Sequence, residues 1–100
     1  MAALVKLGNQ VETLSIAGHK LKAIPDAVFL NLPCLKWLDL RDNYLISLPE
    51  SLVEHPSLEV VLLDNNLFTE VPEVLATLPK LKMIGIRGNI IPKGKLDVLR

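Results

Sequence analysis

His19, His55 and Cys34 are the side chains of this chain best suited to nucleophilic, acid–base or metal chemistry. None has sequence support for such a role. Metal binding needs several His, Cys or carboxylate ligands at set spacing, and neither histidine has a second ligand beside it in the pattern. A catalytic thiol needs an accessible, electropositive setting. Cys34 lies just ahead of an apolar run, where a buried or half-buried packing role is expected. No pair of carboxylates stands in register to share acid and base work. Gly85 and Gly88 do not form a phosphate-binding loop; they read as an outward strand position and a turn. These residues predict a non-enzyme with no cofactor and no metal.

What organises the chain is proline. Pro25, Pro49 and Pro72 are spaced by 24 and 23 residues, and Pro33, Pro56 and Pro79 by 23 and 23. A fixed period of this size marks a stacked-repeat architecture. Aligned on it, the repeats run over residues 11–34, 35–57 and 58–80, with 81–100 as a partial repeat and C-terminal cap and 1–10 as an N-terminal cap. Each repeat carries apolar residues at its first, fourth and sixth positions: Val11, Leu14, Ile16; Leu35, Leu38, Leu40; Leu58, Val61, Leu63; Leu81, Ile84, Ile86. Asparagine fills the ninth position in three repeats (Asn43, Asn66, Asn89), and His19 replaces it in the first.

The alternation around the fourth and sixth positions predicts strands near 12–16, 36–40, 59–63 and 82–86, with one face inward and one outward. An apolar-Pro pair then turns the chain: Ile24-Pro25, Leu48-Pro49, Val71-Pro72. Proline suits the first helical position, and the acid after it (Asp26, Glu50, Glu73) suits a helix N-terminus. The segment must end before Pro33, Pro56 or Pro79, because the residue before proline disfavours helical geometry.

The pattern LxxLxLxxNxL, repeated in register, resembles the leucine-rich repeat family, and the likeness runs from Val11 onward. The resemblance implies an α/β solenoid, a short horseshoe arc with a concave parallel sheet and short helices or 3₁₀ turns on the convex side. It implies that Asn43, Asn66 and Asn89 bond backbone groups at the coil turns, with His19 doing part of that work in the first coil. Phe29 falls where the 24-residue variant of the family carries a core phenylalanine. His55 takes the slot of Leu32 and Leu78 and is expected partly exposed on the outer face.

The resemblance also implies recognition through the concave face. Its outward rows are Thr13, Trp37, Val60, Met83 at the third position and Ser15, Asp39, Leu62, Gly85 at the fifth. Ala17, Arg41, Asp64, Arg87 follow at the seventh, and Gly18, Asp42, Asn65, Gly88 at the eighth. Trp37, Val60, Leu62 and Met83 should form one exposed apolar patch, a feature of interaction sites. Arg41, Asp64 and Arg87 alternate in sign beside it, either as a lateral ladder or as partner contacts. The candidate partner-binding residues are therefore Trp37, Asp39, Arg41, Val60, Leu62, Asp64, Met83 and Arg87. Four strands span roughly 19 Å by 15 Å, about 300 Å². A standard interface needs about 800 Å² per partner, so the rim residues Lys20, Tyr44, Leu67 and Ile90 should contribute.

Composition bounds the rest. Half of the residues are apolar and the formal net charge is +0, from 11 basic and 11 acidic residues. With no basic groove and few aromatics, a nucleic-acid partner is not expected. No stretch approaches the roughly 18 apolar residues of a membrane span, and residues 1–10 do not resemble a signal peptide. A single cysteine forms no internal disulfide, which favours a cytoplasmic location. The expected function is protein–protein interaction, with a protein partner held on the concave face. One alternative is a regulatory or targeting segment of a larger signalling enzyme such as a kinase, since residues 69–89 look like repeats found ahead of kinase domains in some bacterial proteins. Another is a homodimer joined through a sheet edge or the apolar patch.

Overall fold

The computed structural model describes residues 10–92. Four strands, β1 (Thr13–Ser15), β2 (Trp37–Asp39), β3 (Val60–Leu62) and β4 (Met83–Gly85), form one parallel sheet in the order β1-β2-β3-β4. The register joins Thr13, Trp37, Val60 and Met83 in one row, and Ser15, Asp39, Leu62 and Gly85 in another. The strands are shorter than the alternation predicts. Pairing nonetheless continues past their ends: Lys36 N–H donates to the Glu12 carbonyl at 2.8 Å and Ile16 N–H to Asp39 at 3.0 Å.

Each strand leads to a turn and then to a convex-side segment. The first is an α-helix, α1 (Asp26–Leu30); the next two are 3₁₀ helices at Glu50–Leu52 and Glu73–Thr77. The extra residue of the first repeat gives that coil room for a full i→i+4 turn, with Asn31 N–H donating to the Ala27 carbonyl at 3.2 Å. Pro25, Pro49 and Pro72 do not occupy the first helical position as predicted. They cap each segment one residue earlier, at ψ of 145°, 150° and 125°. Their carbonyls accept the first bonds, from Val28, Leu52 and Leu75, so the missing proline N–H costs nothing there.

The core is a single column between sheet and convex segments. Leu35, Leu38, Leu40, Leu58, Val61 and Leu63 are fully buried, and Phe29, Leu52 and Leu75 close them off from the convex side. The matching residues of the outer coils (Val11, Leu14, Ile16; Leu81, Ile84, Ile86) are only half-buried. Each coil is sealed by its neighbours, so a terminal one keeps an open side among the described residues. Of the expected caps, residues 1–9 and 93–100 lie outside the described residues.

Two expectations are corrected. His55 is not partly exposed on the outer face but buried, at 4% exposure. Its Nδ1 accepts the Ser57 N–H at 3.4 Å, leaving the proton on Nε2, which donates to the Leu32 carbonyl at 2.9 Å. The imidazole thus replaces an apolar contact with a polar link between the first two coils. Ser57 Oγ lies 2.8 Å from the Pro33 carbonyl and 2.7 Å from that of Leu35, adding to the same seam. Cys34, expected buried or half-buried, is exposed: it follows Pro33 in a turn, and Leu35 is the residue that enters the core.

Candidate recognition surface

The concave face is held rigid from behind by asparagines. Asn43 Oδ1 accepts the N–H groups of His19 and Leu21, and its Nδ2 lies within hydrogen-bond distance of the carbonyls of Ile16, Leu40 and Arg41. Asn66 repeats this toward Leu45, Leu40, Leu63 and Asp64, and Asn89 toward Phe68, Leu63, Ile86 and Arg87. Each of these three asparagines reaches back to the coil before it. Among the described residues His19 is exposed and enters this network only through its backbone N–H; the residues ahead of the first coil, toward which an asparagine there would reach, lie outside the described ones.

The turn just ahead of each asparagine explains a row left without a role above. Gly18, Asp42, Asn65 and Gly88 all adopt positive φ, at 74°, 58°, 59° and 72°. Glycine, aspartate and asparagine are the residues that tolerate this left-handed backbone. Their types were the available signal. Asn65 Nδ2 also donates to Asp42 Oδ1 at 2.9 Å, tying two of these turns together.

On the outward side, Trp37 is 43% and Met83 51% exposed, with Val60 half-buried between them. Leu62 does not join the apolar patch; it is only 7% exposed. Its Cδ2 leans into the space that Gly85 leaves empty in the next strand. Asp39, expected on the open face, is also buried. Arg41 turns along its own strand to grip it, with Nε to Oδ1 at 2.9 Å and Nη2 to Oδ2 at 2.8 Å, and its backbone N–H adds a third bond. The Arg41 guanidinium holds the Asp39 carboxyl below its ordinary range, against the opposing pull of burial. Row neighbours Ser15 and Leu62 offer that carboxylate no competing charge, which is why the pairing is along the strand.

Of the two readings of Arg41, Asp64 and Arg87, a lateral ladder of ion pairs is not formed among the described residues, although Arg41 feels the Asp64 charge through space. Lateral ion pairs occur at the opposite end of the strands, at the second repeat position, where Glu12, Lys36, Glu59 and Lys82 alternate in sign. Lys36 meets Glu12 at 3.6 Å and Lys82 meets Glu59 at 3.2 Å. Such exposed pairs contribute about 0–1 kcal/mol each, so they order the edge more than they stabilise it.

At the C-terminal end of the face lies a hollow of about 510 Å³, walled by Leu62, Met83, Arg41 and Arg87, with Gly85 at its floor. The Asp64 carboxylate lies over that floor, where a Cβ on residue 85 would collide with Oδ1. Beyond the sheet, Tyr44, Leu67 and Ile90 form an exposed apolar rim. Their N–H groups bond to Leu21, Leu45 and Phe68, so this rim is stacked as regularly as the strands.

Among the described residues, no set of catalytic groups is brought together. Both ring nitrogens of His55 are engaged by backbone, Cys34 lies exposed in the turn ahead of β2, and among the described residues no His, Cys, Asp or Glu cluster could hold a metal ion. No helix among these residues is long and apolar enough to cross a membrane.

Comparison with known proteins agrees with this geometry. The family model described as leucine rich repeat matches residues 9–68, more than half of the chain. No curated protein matched. With four parallel strands in register, an asparagine at each later turn and this family match, the chain belongs to the leucine-rich repeat family.

Proposed function

We propose that the protein is a recognition module that binds a protein partner across its concave face, with Trp37 as the apolar anchor. Leucine-rich repeat domains are generally protein–protein interaction modules. One observation carries the finer reading: Trp37 stands exposed in a row with Val60 and Met83, beside a strand neighbour, Leu38, that is fully buried. A large aromatic kept out of an available core is a hot-spot residue in waiting. The loss of Leu62 from the patch narrows the apolar contact, and the rim of Tyr44, Leu67 and Ile90 supplies area that the sheet lacks.

The test selects binders from a displayed random-peptide library on the wild-type protein and measures them against Trp37→Glu. Ile46→Glu, an exposed site off the face, is the control. Trp37→Glu should weaken binding by about thirtyfold, the scale of a hot spot, with an unchanged melting curve and an unaffected control. Binding that survives Trp37→Glu removes the concave face from the reading. Loss of fold instead would make Trp37 a core residue. Light scattering across a hundredfold concentration range separates self-association, since a mass that grows in the wild type but not in Trp37→Glu would assign the patch to a second copy.

A further inference from the structure

We propose that the hollow over Gly85 seats a basic side chain of the protein partner, with the Asp64 carboxylate as its counter-charge. This rests on the reading of the concave face as the recognition surface and gives that surface a chemical preference.

Three features of the hollow converge on a cation with an apolar stem. The first is an acid with no direct partner. Asp64 is half-buried, and its carboxylate makes no hydrogen bond or ion pair among the described residues. Arg41, the nearest cation, feels the Asp64 charge through space but directs its hydrogen bonds to Asp39. A carboxylate partly withdrawn from water attracts a cation more strongly than one in open solvent.

The second is the floor. The other strands carry Ser15, Asp39 and Leu62 in this row, while β4 has Gly85. With no side chain there, Asp64 Oδ1 lies flat over the strand. Any residue larger than glycine would push the carboxylate off this position.

The third is the wall. Leu62 and Met83 flank the acid with apolar surface. Lysine and arginine lay their methylene stems along such surface while the charged head finds its partner. An acidic side chain entering the same space meets Asp64 head on. Arg87, exposed at the lip, is the opposing charge: it weakens the attraction for a cation and sets a sign that can be measured.

The experiment titrates the full chain, labelled with nitrogen-15, with N-acetyl-argininamide, and separately with N-acetyl-glutamic acid amide. The arginine probe should move the amide resonances of Leu62, Asp64 and Gly85 with saturation, and the glutamate probe should leave them in place. Asp64→Asn, which keeps the shape of the side chain, should weaken the arginine response by roughly tenfold. Arg87→Ala should strengthen it. No movement with the arginine probe, equal movement with both probes, or an undiminished response in Asp64→Asn would overturn the proposal. Its failure is distinct from failure of the concave-face reading, because peptides lost on Trp37→Glu would still mark the face while a silent Gly85 would remove only the basic-side-chain preference.

Discussion

Asn66 clamps Leu45 across a coil boundary: its Oδ1 accepts the Leu45 N–H at 3.0 Å, deep in the buried seam between two repeats. The same amide donates to the carbonyls of Leu40 and Leu63, each at 3.0 Å. Asn66→Ala would strand these groups without water. The expected cost is roughly 3 kcal/mol, at about 1 kcal/mol for each lost bond with more for any group left unpaired. Asn89, only half-buried, should cost about half as much on the same change. Urea unfolding of both variants checks the order; equal losses would mean that burial does not set the strength of the clamp.

Gly18 and Gly88 share a left-handed backbone but not a setting. Among the described residues a Cβ on Gly18 meets nothing within 4 Å, whereas one on Gly88 collides with the Asn65 side chain. Gly18→Ala should therefore cost only the backbone term, about 1–2 kcal/mol. Gly88→Ala should cost more and should disturb the Asn65–Asp42 bond. Thermal melts of the two variants decide it, and a smaller loss at Gly88 would contradict the packing described.

The Asp39–Arg41 pair makes stability depend on acid in a defined direction. Asp39 has its folded-state carboxyl held below the ordinary value, chiefly by the Arg41 side-chain hydrogen bonds. The unfolded chain therefore takes up this proton first, as the pH falls. The pair's contribution is complete above the ordinary carboxylate range and is lost as the pH drops below about 4 and through the folded-state value. The stability gap between wild type and Asp39→Asn should close over that interval. A gap unchanged from neutral pH to below about pH 3 would show that the charge of Asp39 is not what the fold uses.

Ser51 carries a buried hydroxyl with no hydrogen-bond partner among the described residues. Ser51→Ala removes the unsatisfied group and keeps the backbone N–H that donates to Asp26 Oδ1 at 3.3 Å. It should leave stability unchanged or raise it by up to about 1 kcal/mol. A clear loss in denaturant unfolding would reveal a role for the hydroxyl.

The repeat architecture was legible because period and alternation are properties of the chain itself. Leu38, Val61 and the rows around Trp37 fall where the spacing puts them. What escaped depended on a neighbour many residues away. Leu62 is an outward residue by alternation, yet it is buried because the next strand offers Gly85 to lean on. Arg41 had three acids within reach, Asp39, Asp42 and Asp64, and only geometry shows that it takes Asp39. His55 is buried because a backbone carbonyl, invisible as a residue type, stands at its ring. Cys34 is displaced from the core by the turn at Pro33.

The backward reach of Asn43, Asn66 and Asn89 gives the stack a direction. Each coil completes the polar needs of the one before it, so the two ends are not equivalent. Peeling away the last coil withdraws Asn89 from Phe68 and Leu63 and leaves the third coil with exposed, unfilled backbone groups. Peeling away the first coil frees Asn43 Oδ1 and its contact to Ile16 but leaves its Nδ2 on Leu40 and Arg41, while the second coil's own turn remains held by Asn66. In a chain of nearest-neighbour contacts such an asymmetry sets the route of opening. Unzipping should run more readily from the first strand than from the last, and the seam between the second and third coils should be the last to part.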